Sequence, residues 1–279
     1  ENKKQDLKLV SGVIYNHDDN LNDLMLSIYP FFYKTNPLHA DIFPYLRNIE
    51  KDLIRITLNL YNGSKESRGT LTSGGTESIL CACKAYRDYG LKVKGIKNPI
   101  MLVPESAHAA FDKAGESFGI KIIKIPIDEK YELDIGYLET NINKNVVCIV
   151  GSAPSFPHGI MDPIKRLGEI GINYDIPVHV DCCLGGFILP FIENRLEFDF
   201  DFSVKGVTSI SCDYHKYGYS PKGISIIMYE SRKYIDYQYY IEPDWMGGIY
   251  ATHVLTGSRP GNIIVQTWAT MLYYGYRRL

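Results

Sequence analysis

From residue 72 onward the chain alternates short, β-branched apolar runs with stretches of helical length, and this alternation limits the possible folds to very few. The runs occupy residues 100–103, 120–125, 146–150, 177–180, 207–210 and 224–228. They have the length and composition of strands buried on both faces. Residues 109–118, 135–142 and 164–174 between them have helical length and periodicity. Strand, helix, strand in succession implies right-handed crossovers, so the expected class is α/β: a mostly parallel mixed sheet flanked by helices. Ligands of such sheets lie beyond the carboxyl ends of the strands, which makes the polar residues just after each run the first candidates for chemistry.

Ahead of this region, Leu46, Ile49, Leu53, Ile56 and Leu60 recur at spacings that put them on one face of a helix. That helix is expected to begin near Asp41, and Gly63 can end it. Lys plus Arg is 30 against 32 Asp plus Glu, a balance that argues against a dedicated nucleic-acid binder. A 45% hydrophobic fraction excludes global disorder. The six cysteines are too sparse for a disulfide framework and form no C-x-x-C pair, so they read as reduced, mostly buried thiols. No run reaches the roughly 18 apolar residues of a membrane span. Without repeats, low complexity or a linker, one continuous domain is the default. The chain opens on Glu1 and stops at Tyr276-Arg277-Arg278-Leu279 inside a helical pattern, which reads as a fragment of a longer protein.

Three segments could carry chemistry. Thr72-Ser73-Gly74-Gly75-Thr76-Glu77-Ser78 precedes an expected helix over residues 79–89. Glycines there let the backbone approach an anion, and the helix N-terminus offers free N–H groups, but an ordinary helix cap explains the segment equally well. It has neither the G-x-G-x-x-G spacing nor a Walker lysine, which disfavours a dinucleotide or triphosphate. Asp181 ends the run 176–180, where an unpaired carboxylate would be costly and so needs a partner. His179 and Asp181 lack a third ligand at metal-binding spacing. Lys216 follows the strand at 207–210 among Tyr214, Tyr217 and Tyr219. A desolvated lysine at a strand end can attack an aldehyde, although a solvated lysine in a tyrosine-rich loop is the plainer reading of spacing alone. Taken together, a phosphate cradle, a strand-end acid and a lysine fit one small cofactor with a phosphate, a pyridine nitrogen and an aldehyde: pyridoxal 5′-phosphate (PLP).

A set of short segments then specifies a family. They are Asn36-Pro37-Leu38-His39, the segment from Thr72 to Leu80, Ser106-Ala107-His108, Phe156-Pro157-His158-Gly159, His179-Val180-Asp181, Leu184-Gly185-Gly186, His215-Lys216-Tyr217-Gly218-Tyr219, Trp245-Met246-Gly247-Gly248 and Gly257-Ser258-Arg259-Pro260-Gly261. With these in order along its length, the chain resembles the sphingosine-1-phosphate lyases, PLP enzymes related to the group II decarboxylases. The resemblance implies the large PLP-binding domain of the aspartate-aminotransferase type. It would run over residues 71–260, after an N-terminal helical segment at 1–70. Residues 261–279 would start a helix leading to a small C-terminal domain absent from this chain.

It further implies that Lys216 forms the Schiff base with PLP, Asp181 pairs with the ring nitrogen and His108 stacks on the ring. Gly75, Thr76 and His215 would hold the phosphate, with Gly257 and Ser258 reaching in from the other subunit of a homodimer. Tyr15, Asn36, His39 and Lys222 resemble substrate-side residues, and Tyr15 or Lys216 would move protons. The implied reaction is retro-aldol C2–C3 cleavage of a phosphorylated sphingoid base to a long-chain aldehyde and phosphoethanolamine. The implied setting is a cytoplasmic catalytic domain, with an endoplasmic-reticulum anchor upstream left open. An amino-acid decarboxylase and an inactive dimerisation or lipid-phosphate-binding relative are the competing readings. Cys182 departs from the family pattern, which usually has Ala there, as do Cys212 and Tyr214.

Overall fold

A computed structural model describes residues 12–16, 18–192 and 199–275. The helical expectation for Tyr276–Leu279 lies outside the described residues. In chain order the elements begin with α1 (Asp19–Phe32), α2 (Pro44–Leu60), β1 (Arg68–Thr72), α3 (Gly75–Lys94), β2 (Ile100–Pro104), α4 (Ala110–Phe118) and β3 (Lys121–Ile125). They continue with α5 (Ile135–Thr140), β4 (Val146–Ser152), α6 (Ile164–Tyr174), β5 (Val178–Asp181), β6 (Val207–Cys212) and β7 (Ser225–Tyr229). The last are α7 (Arg232–Ile235), β8 (Tyr240–Glu242), β9 (Tyr250–Thr252) and α8 (Gly261–Tyr274).

Among the described residues, seven strands form one sheet in the order β1-β7-β6-β5-β4-β2-β3, and β8 pairs with β9 in a separate hairpin. Pairing is parallel from β3 through β6, while β7 runs antiparallel to both β6 and β1. The sheet is therefore mixed and mostly parallel, as the alternation of runs and helices implies. The antiparallel strand is accommodated because the short connection from β6 to β7 carries no crossover helix.

Strand parity divides the core in two. Leu102, Ile149, Val178, Val180, Ile210, Ile226 and Met228 face one layer, which contains Leu53 of α2, Leu167 of α6 and Ile264 of α8. Met101, Val103, Cys148, Val150, Ile227 and Tyr229 face the other, packed against α3 and α4. Successive residues of a strand point to opposite faces, so a sheet covered on both sides must be apolar on both.

The helix expected near Asp41 starts at Pro44, with Phe43 at its N-cap position. Proline is tolerated in the first turn because its missing N–H would have no intrahelical partner there. The expected face is correct, with Leu46, Leu53 and Leu60 buried. Helix α1, which falls inside the expected N-terminal helical segment although no periodicity marks its bounds, is capped by the Asp18 side chain accepting from the Leu21 N–H at 3.1 Å. It packs on α8, as does α2. The boundary drawn between residues 70 and 71 falls inside β1.

Candidate active site

The carboxyl ends of β1, β2, β4, β5 and β6 converge, and the loops leaving them line a cavity of about 320 Å³. Ser73 to Glu77 follow β1, His108 follows β2, Ser152 ends β4, Asp181 ends β5, and Asp213, His215 and Lys216 follow β6. Segments far apart in sequence meet here because every strand of common direction delivers its following loop to the same edge of the sheet.

Helix α3 begins at Gly75, four residues before the expected start at residue 79, and Gly74 at its N-cap provides no side-chain hydrogen bond. The N-cap thus contributes no side-chain bond, and Ser73 to Glu77 line the cavity at the positive end of a 20-residue helix, whose first N–H groups have no intrahelical acceptor. Gly75 is needed for space: a Cβ there would lie 2.8 Å from Asp213 Oδ1 and 2.9 Å from Cys183 Sγ. The turn is braced by Glu77, whose carboxylate accepts from the Ser73 N–H at 2.6 Å and the Thr256 N–H at 3.1 Å.

Lys216 Nζ lies 3.0 Å from the buried carboxylate of Asp213. Burial works against the Lys216 charge, and burial also keeps the neighbouring Cys183 thiol protonated, so the Asp213 and Asp181 carboxylates are what hold Lys216 above the ordinary lysine value. Asp213 also accepts from the Ser225 hydroxyl and stands 3.6 Å from His215 Nε2. His215 Nδ1 bonds the Ile224 carbonyl at 2.8 Å, and burial holds this histidine below its usual value. Asp181 Oδ1 accepts from the Cys183 N–H at 3.1 Å and from the Ser211 hydroxyl at 3.2 Å. His108 Nδ1 accepts from the Ala110 N–H at 3.0 Å, which orients the ring at the start of α4.

A second cavity of about 340 Å³ adjoins the first and shares His215 and Lys216 with it. Tyr15, Asn16, Tyr219 and Lys222 line it as well. Lys222 Nζ donates to the His215 carbonyl at 3.0 Å and lies 4.9 Å from the centre of the Tyr15 ring. Burial, and then the charge of Lys216, lower the Lys222 pKa.

Of the residues singled out from sequence, Lys216, Asp181, His108, Gly75, Thr76 and His215 thus meet around one cavity, and Tyr15 and Lys222 around its neighbour. Asn36, His39, Gly257 and Ser258 line neither. Asn36 instead donates to the Ser258 hydroxyl at 2.9 Å and accepts from the Arg259 N–H at 3.2 Å, while His39 is exposed in the turn before α2. Sequence reasoning passed over Asp213, Glu77 and Ser152. An Asp three residues before the lysine was the available signal for the first. No local pattern marks Ser152, whose hydroxyl is buried without a partner among the described residues.

These residues fit PLP. The uncapped N-terminus of α3 offers donors for a phosphate, Gly75 clears space, Asp181 supplies a carboxylate at the cavity wall, and Lys216 brings an amine. No cluster of His, Cys, Asp or Glu suited to a metal ion occurs among the described residues, and no described helix is long and apolar enough to cross a membrane.

Comparisons with known proteins agree with this geometry. The model of the pyridoxal-dependent decarboxylase conserved domain matches residues 30–279. The chain is 50% identical over 268 residues to sphingosine-1-phosphate lyase 1 of Mus musculus, covering 95% of this chain and 47% of that protein. It is 48% identical over 271 residues to the sphingosine-1-phosphate lyase of Drosophila melanogaster, covering 96% of this chain and 50% of the relative. The chain thus spans about half the length of the curated relatives it matches. The structure of a sphingosine-1-phosphate lyase from Burkholderia pseudomallei superposes with a TM-score of 0.91 at 37% identity, covering 95% of this chain and 63% of that one. A glutamate decarboxylase from Lactobacillus brevis, at 22% identity and a TM-score of 0.80, shares the fold over 94% of this chain and 62% of its own. By its cavity, its fold and the match over residues 30–279, the chain belongs to the pyridoxal-dependent decarboxylase domain family.

Proposed function

We propose that this chain is the cofactor-binding part of a PLP-dependent lyase that cleaves phosphorylated sphingoid bases between C2 and C3, yielding a long-chain aldehyde and phosphoethanolamine. The observation that carries this reading is the meeting of Lys216, Asp181, His108 and the Gly75-Thr76 turn at one cavity, in a chain whose relatives are named sphingosine-1-phosphate lyases. Lys216 would hold the cofactor's aldehyde carbon through its amine. Asp181 would hold the proton on the ring nitrogen, His108 would cover a ring face, and the first turn of α3 with His215 would take the phosphate. Bound there, PLP supplies an electron sink for the pair released when the C2–C3 bond breaks.

The chain's own residues do the rest. Once the substrate amine has displaced it, Lys216 carries a proton beside Asp213 and can return it. Removal of the C3 hydroxyl proton falls to Tyr15 or Lys216, which line the same second cavity. The PLP phosphate occupies the α3 cradle, so the substrate phosphate needs other donors, and we assign Lys222 and His39 to it, with Asn36 nearby. Lys222 is exposed at the second cavity, where a charged headgroup could reach it.

Gly257 and Ser258 line neither of the two cavities described above, which supports a homodimer in which they complete the partner's phosphate site. The division into segments 1–70, 71–260 and 261–279 is kept as part of this proposal. So is the cytoplasmic placement, with or without a tether to the endoplasmic reticulum, which fractionation of the full-length protein would check.

The function is tested by incubating the full-length protein and PLP with a phosphorylated sphingoid base and, separately, with amino acids. Aldehyde release is expected. Carbon dioxide release from an amino acid without aldehyde release would move the assignment to a decarboxylase. Failure of borohydride to trap PLP on the protein would favour an inactive binding relative.

A further inference from the structure

On the face opposite Val178, Val180 and Ile210, strands β5 and β6 carry polar residues deep in the molecule. Their register places His179 beside Ser209 and Asp181 beside Ser211, all toward α3. His179, Ser209, Ser211 and Tyr86 of α3 are each fully buried, at 0% exposure. They nevertheless form an unbroken row. Ser211 Oγ lies 3.2 Å from Asp181 Oδ1 and 3.3 Å from His179 Nε2. His179 Nδ1 is 2.7 Å from Ser209 Oγ, and the Tyr86 hydroxyl donates to Ser209 Oγ at 2.6 Å.

Proton counting sets the direction of this row. A carboxylate only accepts, so the Ser211 proton points at Asp181 and the Ser211 oxygen must accept from His179. His179 Nε2 therefore carries a hydrogen. Burial lowers the His179 pKa to about 4, which leaves the ring neutral with a single N–H, and Nδ1 must accept. Ser209 then donates to Nδ1, which frees its oxygen to accept from Tyr86. From Ser209 to Asp181 every donor points the same way; at the outer end the single Tyr86 proton is shared between Ser209 and Thr208 Oγ1, which lies 2.7 Å away and itself donates to the Val178 carbonyl at 2.9 Å.

We propose that Tyr86, Ser209, His179 and Ser211 form a one-way row of hydrogen bonds that ends on Asp181, locks His179 as the Nε2–H tautomer and orients the Asp181 carboxylate toward the ring nitrogen of the cofactor. The last role rests on the PLP reading above. The row meets Oδ1, which the Cys183 N–H also occupies, and leaves Oδ2 without a protein donor among the described residues. None of the four lines the cavity, so they are positioning residues. Filling space would not require polarity here, since the same two strands use Val and Ile on their other face. Buried polar groups are retained at little cost only when each is satisfied, and a fully satisfied row holds one geometry.

The test uses full-length protein labelled with ¹⁵N-histidine, with His179 assigned through its contact with the Phe111 ring. At neutral pH His179 should give the neutral Nε2–H pattern. Ser211→Ala cuts the row next to Asp181. It should release the tautomer preference, change the visible spectrum of bound PLP and weaken PLP binding roughly tenfold. Ser211→Thr, which keeps the hydroxyl, should restore all three. An Nδ1–H or doubly protonated His179 in the wild type overturns the row without the need for any variant to fold. Wild-type PLP affinity and spectrum in a folded Ser211→Ala overturn its role toward the cofactor. A wild type with the expected tautomer that binds no PLP removes both that role and the function proposed above, whereas a wrong tautomer in a protein that binds PLP removes the row alone.

Discussion

The sheet side of the cavity and its outer approach handle polar groups in opposite ways. On the sheet side, Asp181, His179, Ser209 and Ser211 are buried in strands and bonded to one another at distances set by strand register. On the outer side, Lys222 is exposed and Tyr15 half-buried at the second cavity, while His39 and Asn36, assigned above to the substrate by proposal, lie on loops that line neither cavity. A buried polar group that loses its partner bears the full desolvation cost, so substitutions on the sheet side should propagate. An exposed group falls back on water, so substitutions outside should affect only the ligand that group touches.

The largest effect expected is at the boundary of the two regions. Lys216→Ala should abolish borohydride trapping of PLP altogether while the protein still folds, since the Asp213 carboxylate keeps its bond from Ser225. Trapping on Lys222 or Lys205 instead would show that the assignment is wrong. Next comes the sheet side itself. Asp181→Asn removes the carboxylate proposed to face the ring nitrogen and should lower turnover on the order of 10²-fold or more at saturating PLP. Near-normal turnover would erase the distinction between inner and outer residues.

The outer side is tested by Lys222→Ala and His39→Ala, each expected to lower kcat/KM for a phosphorylated sphingoid base by roughly ten- to a hundredfold. PLP attachment should be unchanged in both. Normal kinetics in the two variants, measured in the full-length protein, would mean that the substrate phosphate is read elsewhere.

The smallest effect concerns stability. Asp162 lies behind Ser152, accepting from its N–H at 2.6 Å, and burial lifts its pKa from 3.8 to about 7 against the pull of that bond. Its folded pKa is raised, so between pH 4 and 7 the unfolded chain loses the proton first and stability falls as pH rises. His179 has the opposite sign. Its folded pKa is depressed to about 4, so stability is lost as pH falls from 6.5 toward 4. The two partly cancel in the wild type. Asp162→Asn keeps an acceptor for Ser152 and should raise stability at pH 8 by roughly 1–3 kcal/mol. It should also expose the acid-side loss due to His179. Urea unfolding at pH 5 and pH 8 would read both, and an unchanged profile would show that burial does not raise the folded-state pKa of Asp162.

What was legible in the sequence follows from local physics. Burial on both faces dictates short apolar runs, and helices covering a sheet dictate the 3.6-residue period, so the α/β architecture and the strand ends could be read directly. Asp181 and Lys216 were legible for the same reason, since each ends or closely follows a recognisable strand, whereas His108 was singled out only by the family resemblance. Helix α1 was less so, because its burial comes from α8, more than 200 residues later.

Tertiary structure alone decided which polar atoms meet. Glu77 bonds Thr256 across 179 residues, Asn36 bonds Ser258 across 222, and Tyr86 bonds Ser209 across 123. The pattern of a strand states which face a residue occupies, but not the register against its neighbour, and a one-residue slip turns every side chain to the other face. The sequence therefore placed the lysine and the acid, whereas the row of donors behind the acid exists only because β5, β6 and α3 pack in one particular register.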